Sequence, residues 1–315
     1  MQQTVDLGND ISLVDLYDLK MPQRTGSYII DADELTIVET SASPSIPYLL
    51  QGLEELNIDP KDVKHLIVTH IHLDHAGGAG LFMEHCPNAT VYVHPRGKRH
   101  LADPSKLIKG AKVVYGDKFD ELFDPIVPIA EERLVEKADG EQLNIGKGRT
   151  LTFHDSPGHA KHHFSIHDSK SNGFFTGDTI GVLYPHVKEY VGDFVLPSTS
   201  PNQFDPVAML SSLEKIEEIR PDQIFFGHFG QSSNPFSVYD QIRNWLPIFL
   251  STTEKVLKEF DEDEQAAEAI STQLMTQVKN YLVENGVPPE SDVFDLLMLD
   301  LDVCAMGLVD YFKKQ

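Results

Sequence analysis

Seven consecutive residues, Thr69-His70-Ile71-His72-Leu73-Asp74-His75, carry three imidazoles and a carboxylate directly after the apolar run Leu66-Ile67-Val68. Side chains on a strand alternate faces, so a strand ending here sends His70 and His72 to one side, and a turn beyond it swings Asp74 and His75 in from another. The pattern is that of a metal site at a strand exit, with two neighbouring metal positions. One loop cannot complete two coordination shells, so a fold built on this segment must bring further donors from distant parts of the chain.

Three later segments have the same form. Leu151-Thr152-Phe153-His154 reads as a strand, and the turn Asp155-Ser156-Pro157-Gly158-His159 ends it on an imidazole. Gly173-Phe174-Phe175 runs into Thr176-Gly177-Asp178, and Gln223-Ile224-Phe225-Phe226 runs into Gly227-His228. Each of the four strand exits therefore carries a ligand-type residue. Neutral imidazole and carboxylate suit Zn(II), with Fe and Mn as alternatives, whereas a soft copper site would call for thiolate or thioether donors. Two aspartates against two divalent ions leave residual positive charge that a bridging hydroxide fits.

The combined pattern of HxHxDH at His70 to His75, PGH ending at His159, GD ending at Asp178 and GH ending at His228 resembles the metallo-β-lactamase-fold hydrolases, in their glyoxalase II and lactonase branch, over roughly residues 10 to 235. The resemblance implies that His70, His72 and His159 hold one metal, that Asp74, His75 and His228 hold a second, and that Asp178 bridges both. It implies a hydrolase in which a hydroxide between two divalent ions attacks a thioester, lactone or ester, with Asp74 orienting that hydroxide or accepting its proton. The family's early acid, an Asp followed by Thr-Gly, falls here on Glu39-Thr40-Ser41, a departure from the pattern. A tyrosine donates a hydrogen bond to the substrate in the lactonase branch, and Tyr184 and Tyr190, which follow Asp178 closely, are the candidates for that role. His162 and His163 are expected behind the ligands or in packing. The remaining histidines His65, His85, His94, His100, His154, His167 and His186 match no ligand position.

The organisation of the chain agrees with an α/β (α+β) class and a four-layer αββα sandwich. Strand-like segments at Ile11 to Asp18, Gly26 to Ile30 and Leu35 to Glu39 precede a helix opened by Ser45-Ile46-Pro47, whose Leu49, Leu50, Leu53 and Leu56 form one stripe. Residues 103–127 read as irregular, and Ile126 to Ile129 and Arg133 to Val135 read as short strands. A second half has strands at Phe164 to His167, Phe174 to Thr176 and Ile224 to Phe226, with a helix over Pro206 to Ile219. From about Ser237 only helices are expected, so 1–236 reads as a catalytic domain and 237–315 as a helical extension. In that extension Phe294, Leu297, Leu301, Cys304, Leu308 and Phe312 recur every three to four residues, a stripe that needs a partner surface in a core, a substrate cap or a homodimer.

Charge narrows the function. With 26 basic and 49 acidic residues the formal charge is -23, which disfavours a phosphate-backbone ligand and hence nucleic acid. The basic run Arg96-Gly97-Lys98-Arg99-His100 reads as a solvated face. Only Cys86 and Cys304 are present, the first residues contain no basic segment followed by an apolar one, and no stretch approaches ~20 apolar residues. A cytoplasmic enzyme acting on a small-molecule substrate, without a membrane partner, is the expectation. Two alternatives share the scaffold. One is a diiron redox or oxygen-binding protein, whose flavodiiron relatives carry Glu where this chain has His72. The other is a metal-binding sensor or a phosphodiesterase.

Overall fold

The computed structural model describes residues 3–315, which fall into two compact units interleaved along the chain. The first comprises the residues up to Asp155 together with His162–Gly177 and Pro221–Ser233, and the second comprises Ser156–Lys161, Asp178–Arg220 and Asn234–Gln315. The units therefore do not divide the chain at residue 236, because the helical extension groups with residues 178–220.

In the first unit, β1 (Thr4–Asp6), β2 (Ile11–Asp15), β3 (Gly26–Ile30), β4 (Thr36–Val38), β5 (His65–Ile67), β6 (Thr90–Val93) and β7 (Leu134–Glu136) form one sheet in sequence order. Pairing is antiparallel as far as β4 and parallel from β4 to β7. A second sheet starts with the antiparallel ribbon of β8 (Gln142–Gly146), β9 (Arg149–Asp155), β10 (Phe164–Asp168) and β11 (Gly173–Phe175). The chain then passes through the second unit, where β12 (Val182–Leu183) pairs with β13 (Val195–Leu196). It returns as β14 (Gln223–Phe225), parallel to β11, and β15 (Gln231–Ser232).

Alternation along the strands builds two cores. The register places Ile37, Leu66 and Val91 in one row, which is buried under helix Ile46–Glu55 and the chain around Phe82 and Leu101. Their neighbours Val38, Ile67 and Tyr92 point the other way and pack with Phe153, Phe164, Phe175 and Phe225 of the second sheet. Burying both faces favours the Val- and Ile-rich parallel strands found here. Helix Ile46–Glu55 begins with Pro47 in its first turn and buries Ile46, Leu49 and Leu53, the spacing of a single helical stripe.

Two expectations are corrected. Residues 103–127 are mostly helical, with helices Ser105–Tyr115 and Phe119–Phe123, and Ile126 to Ile129 form no strand. Leu107, Ile108, Ala111 and Tyr115 lie on one side of the first helix and pack with Leu73, Phe119 and Phe123, while three lysines on the same short helix obscure the apolar period.

In the second unit, helix Pro206–Ile219 starts where expected: Asp205 accepts from the Val207 and Ala208 N–H groups, and Pro206 takes the first helical position. Helices Pro235–Val256, Asp263–Glu284 and Val293–Lys313 follow. Phe294, Leu297, Leu301, Cys304 and Leu308 are buried and Phe312 is half-buried, and the last helix packs on helices Asp263–Glu284 and Pro235–Val256. Among the described residues no helix is long and apolar enough to cross a membrane.

Candidate metal centre

Parallel pairing sets the frame. Val38 of β4 is opposite Ile67 of β5, so the two strands end on the same edge of the sheet and release Glu39 and the histidine segment side by side. Buried Glu39 accepts from the Thr69 N–H through Oε1 at 2.6 Å and faces His75 Nδ1 through Oε2 at 2.5 Å. A carboxylate can only accept from the neutral form of that ring, which assigns the proton to Nδ1 and turns Nε2 outward. The departure from Asp to Glu therefore keeps the support of the histidine segment. Glu39 has a left-handed backbone, φ 72°.

His75 Nε2 lies 3.7 Å from Asp74 Oδ2, and His228 Nε2 lies 3.5 Å from the same oxygen. One side-chain nitrogen or oxygen of each of Asp74, His75 and His228 falls within 4.8 Å of the others, a group that could hold a single cation. Beside this triangle, His70 Nε2 and His72 Nδ1 are 3.0 Å apart, and His70 Nδ1 is 3.1 Å from the Thr69 hydroxyl. Five of the expected ligands are thus assembled within the first unit. His228 arrives from the end of β14, which parallels β11, and the Gly227 N–H donates to the Gly177 carbonyl across that pair at 3.4 Å. Gly177 has φ 48°, and a Cβ there would lie 2.4 Å from His163 Nε2, so glycine is required at the turn leading to Asp178.

The other two ligands are paired within the second unit. His159 Nε2 is 3.8 Å from Asp178 Oδ2. His159 Nδ1 is 3.0 Å from the Ser198 carbonyl, which can only accept, so the ring again presents Nε2 as its lone-pair nitrogen. The Ser198 hydroxyl donates to Asp178 Oδ2 at 3.3 Å. Gly158, in the turn before His159, has φ 141°, and a Cβ on it would meet the Met209 backbone at 2.4 Å.

His162 and His163 are both buried against the first set. The His162 ring stacks on His70 at 6.2 Å and meets His72 edge-on at 5.3 Å, while His163 lies 4.9 Å from His70. A buried Asp18–Arg24 pair, 3.0 Å apart, lies within electrostatic range of Asp74 and His228. Burial pushes the Asp18 carboxyl up, Arg24 and His228 oppose this, and Asp74 adds to it. Nothing in the letters marks that pair, because its members stand on a loop of left-handed residues without apolar periodicity.

Tyr184 is buried and donates its hydroxyl to Asp300 at 3.0 Å, whereas Tyr190 is 42% exposed. His65 pairs with Glu34, His94 with Asp155 and His167 with Asn172, local partners that account for three of the discounted histidines.

The family model of the metallo-beta-lactamase superfamily matches residues 23–228. An N-acyl homoserine lactonase of Azorhizobium caulinodans is 29% identical over 178 residues, 56% of this chain and 62% of that protein. A putative diflavin flavoprotein of Nostoc is 22% identical over 245 residues, 72% of this chain and 38% of that protein, so the chain spans less than two thirds of the length of these relatives. A solved archaeal metallo-beta-lactamase superfamily protein from Sulfolobus tokodaii superposes with a TM-score of 0.65 at 20% identity, over 95% of this chain and 97% of that one, a likeness of fold. With a family match that spans most of the chain and includes every expected ligand position, the chain belongs to the metallo-β-lactamase superfamily.

Proposed function

We propose that the protein is a dinuclear metallohydrolase acting on a small carbonyl substrate, a thioester, lactone or ester. On this reading His70, His72 and His159 hold one ion, Asp74, His75 and His228 hold the other, and Asp178 is shared. The observation that carries it is the convergence of His75 and His228 on Asp74 Oδ2. Connectivity supports the completion of the set. Asp178 is bonded directly to Gly177 of the first unit, and the segment bearing His159 leaves that unit after Asp155 and rejoins it at His162.

The donors fit zinc, with iron or manganese as alternatives, because they are all imidazole and carboxylate, with the tautomers of His75 and His159 fixed by outer partners. When bound, such ions lower the pKa of a coordinated water to ~7 and polarise an acyl oxygen. The protein's own part is positional. Glu39 and the Ser198 carbonyl keep a proton on the outer nitrogen of His75 and His159, so neither ring turns its lone pair away. Asp74, whose side chain is 26% exposed, directs Oδ2 at the imidazoles, and we assign its Oδ1 to accept the proton of the attacking water. Tyr184 would reach a leaving group only by exchanging Asp300 for it, which makes it the weaker of the assigned roles beside Asp74, and Tyr190 stands as a rim residue. Two buried free thiols fit a cytoplasmic setting.

Metal analysis of protein purified without added metal, followed by assay of thioesters, lactones and phosphodiesters, tests the proposal. Two equivalents of metal with acyl hydrolysis are expected. Phosphodiester cleavage without acyl hydrolysis would overturn the substrate class. Bound iron with oxygen reduction and no hydrolysis would select the diiron reading, which the likeness to a diflavin flavoprotein favours.

A further inference from the structure

Residues 197–200 follow β13 without regular secondary structure, and the Ser198 and Ser200 hydroxyls bond to one neighbour while Thr199 bonds to another. On one face, the Ser198 hydroxyl reaches Asp178, the Ser198 carbonyl takes the His159 Nδ1 proton, and the Ser200 hydroxyl donates to the His159 carbonyl at 2.9 Å. On the opposite face, the segment is bonded to helix Val293–Lys313. The Thr199 N–H donates to Cys304 Sγ at 3.5 Å, the Thr199 hydroxyl donates to the Cys304 carbonyl at 2.8 Å, and the Cys304 thiol points at the Pro197 carbonyl at 3.7 Å. Burial pushes that thiol up to about 12, so it remains a neutral S–H donor. One helical turn on, Gly307 has no side chain where a Cβ would stand 2.0 Å from the Thr199 carbonyl and 2.6 Å from the Ser200 carbonyl carbon. The same stripe continues in both directions, with Asp300 accepting from Tyr184 and Asp310 accepting from the Asn202 N–H.

We propose that the last helix, acting through residues 197–200, fixes the position of His159 and Asp178, with Ser198 and Gly307 as the positioning residues. The helical extension is then neither a lid over the substrate nor an independent module. It is the back wall of two metal ligands, and a change more than one layer behind the ions alters how they are held. This rests on the metal-binding reading above. The physical basis is that outer partners orient ligands and commonly change metal affinity by ~10–100-fold when removed.

The test uses the full chain and Co(II) as the probe, whose visible absorption reports ligand geometry, with far-ultraviolet circular dichroism as the check on folding. Gly307→Ala places a methyl group against the Thr199 carbonyl while suiting the helix better than glycine. It should weaken Co(II) binding by ~10-fold or more and shift the absorption bands at unchanged helicity. Ser198→Ala should weaken it by a similar factor, and Ser198→Thr should restore it. If Gly307→Ala does not fold, Thr199→Val, which removes only the hydroxyl bond to Cys304, decides with Ser198→Ala. Wild-type affinity and spectra in these variants would overturn the proposal. His70→Ala, run alongside, separates the two levels: if it also binds Co(II) as wild type does, the metal-binding reading itself fails, whereas loss in His70→Ala alone sinks only the role of the helix.

Discussion

The two ends of the β9–β10 hairpin contrast two ways of burying polar groups. At one end Arg149 meets Asp168 in a fork, Nε to Oδ1 at 2.8 Å and Nη2 to Oδ2 at 2.6 Å, and the Arg149 Nη1 donates to the Asn9 carbonyl at 2.7 Å. The Ser171 N–H and hydroxyl add to the same carboxylate. Charges cancel and donors match acceptors without any outside component. At the other end, where β10 begins after His162 and His163, imidazoles crowd against imidazoles: the His70 ring lies 4.1 Å from His75 and 4.9 Å from His163. Groups gathered with their lone pairs toward one another gain from a cation, whereas the Arg149 fork has nothing to gain from one. One end supports the fold, and the other, on the function proposed above, serves chemistry, as in sheets whose functional groups gather on a single edge.

The contrast breaks if substitutions at the two ends behave alike. The largest effect is expected for His70→Ala and Asp178→Ala, which should abolish stoichiometric metal and hydrolytic activity together, measured by elemental analysis and by turnover of the substrate found in the panel. Retained stoichiometry in both would refute the ligand assignment. Arg149→Ala should lower the free energy of unfolding by about 3–5 kcal/mol, because Asp168 is left buried and unpaired, while the remaining folded protein still takes up its full complement of metal. Denaturant titration and metal analysis on the same sample decide this.

A smaller effect separates support from ligation at the site itself. Glu39→Gln should weaken metal binding by ~10–100-fold without unfolding the protein, and Glu39→Asp should recover only part of it, since a side chain one methylene shorter does not span both the Thr69 N–H and His75 Nδ1 as Glu39 does. Competition with a chromophoric chelator gives the number. Smallest is a pH effect at the structural end. Burial raises the Asp168 carboxyl, but the Arg149 and Ser171 bonds outweigh it and hold it below the ordinary carboxylate range. The unfolded chain therefore binds the proton more readily, and the stabilisation is complete above the ordinary carboxylate range and lost as pH falls through the depressed folded value. The stability difference between wild type and Asp168→Asn should shrink on acidification and stay constant above about pH 6. A difference that grows on acidification would reverse the sign.

Much of this was legible in the letters, for identifiable reasons. The strand exits at His159, Asp178 and His228 stand out because apolar runs break at glycine or proline beside residue types that suit metals, and the exit at His70 because three imidazoles and a carboxylate crowd into one segment. Helix Pro206–Ile219 was legible from Asp205 and Pro206 at its start. What Glu39 does was not, since its two bonds depend on the β4–β5 register and on a backbone angle. Ser198 was invisible for a deeper reason: the atom that receives the His159 proton is a main-chain carbonyl, which every residue possesses. The helix Ser105–Tyr115 was missed because it buries only part of each apolar side chain, so lysines dominate its pattern.

The triangle of Asp74, His75 and His228 has a consequence for how the protein is made. Two of its corners come from the first sheet and the third from nearly the last strand of the second, so a ribosome-bound chain that has not yet delivered β14 cannot close it. On the ligand assignment proposed above, loading of that ion must therefore follow synthesis of β14.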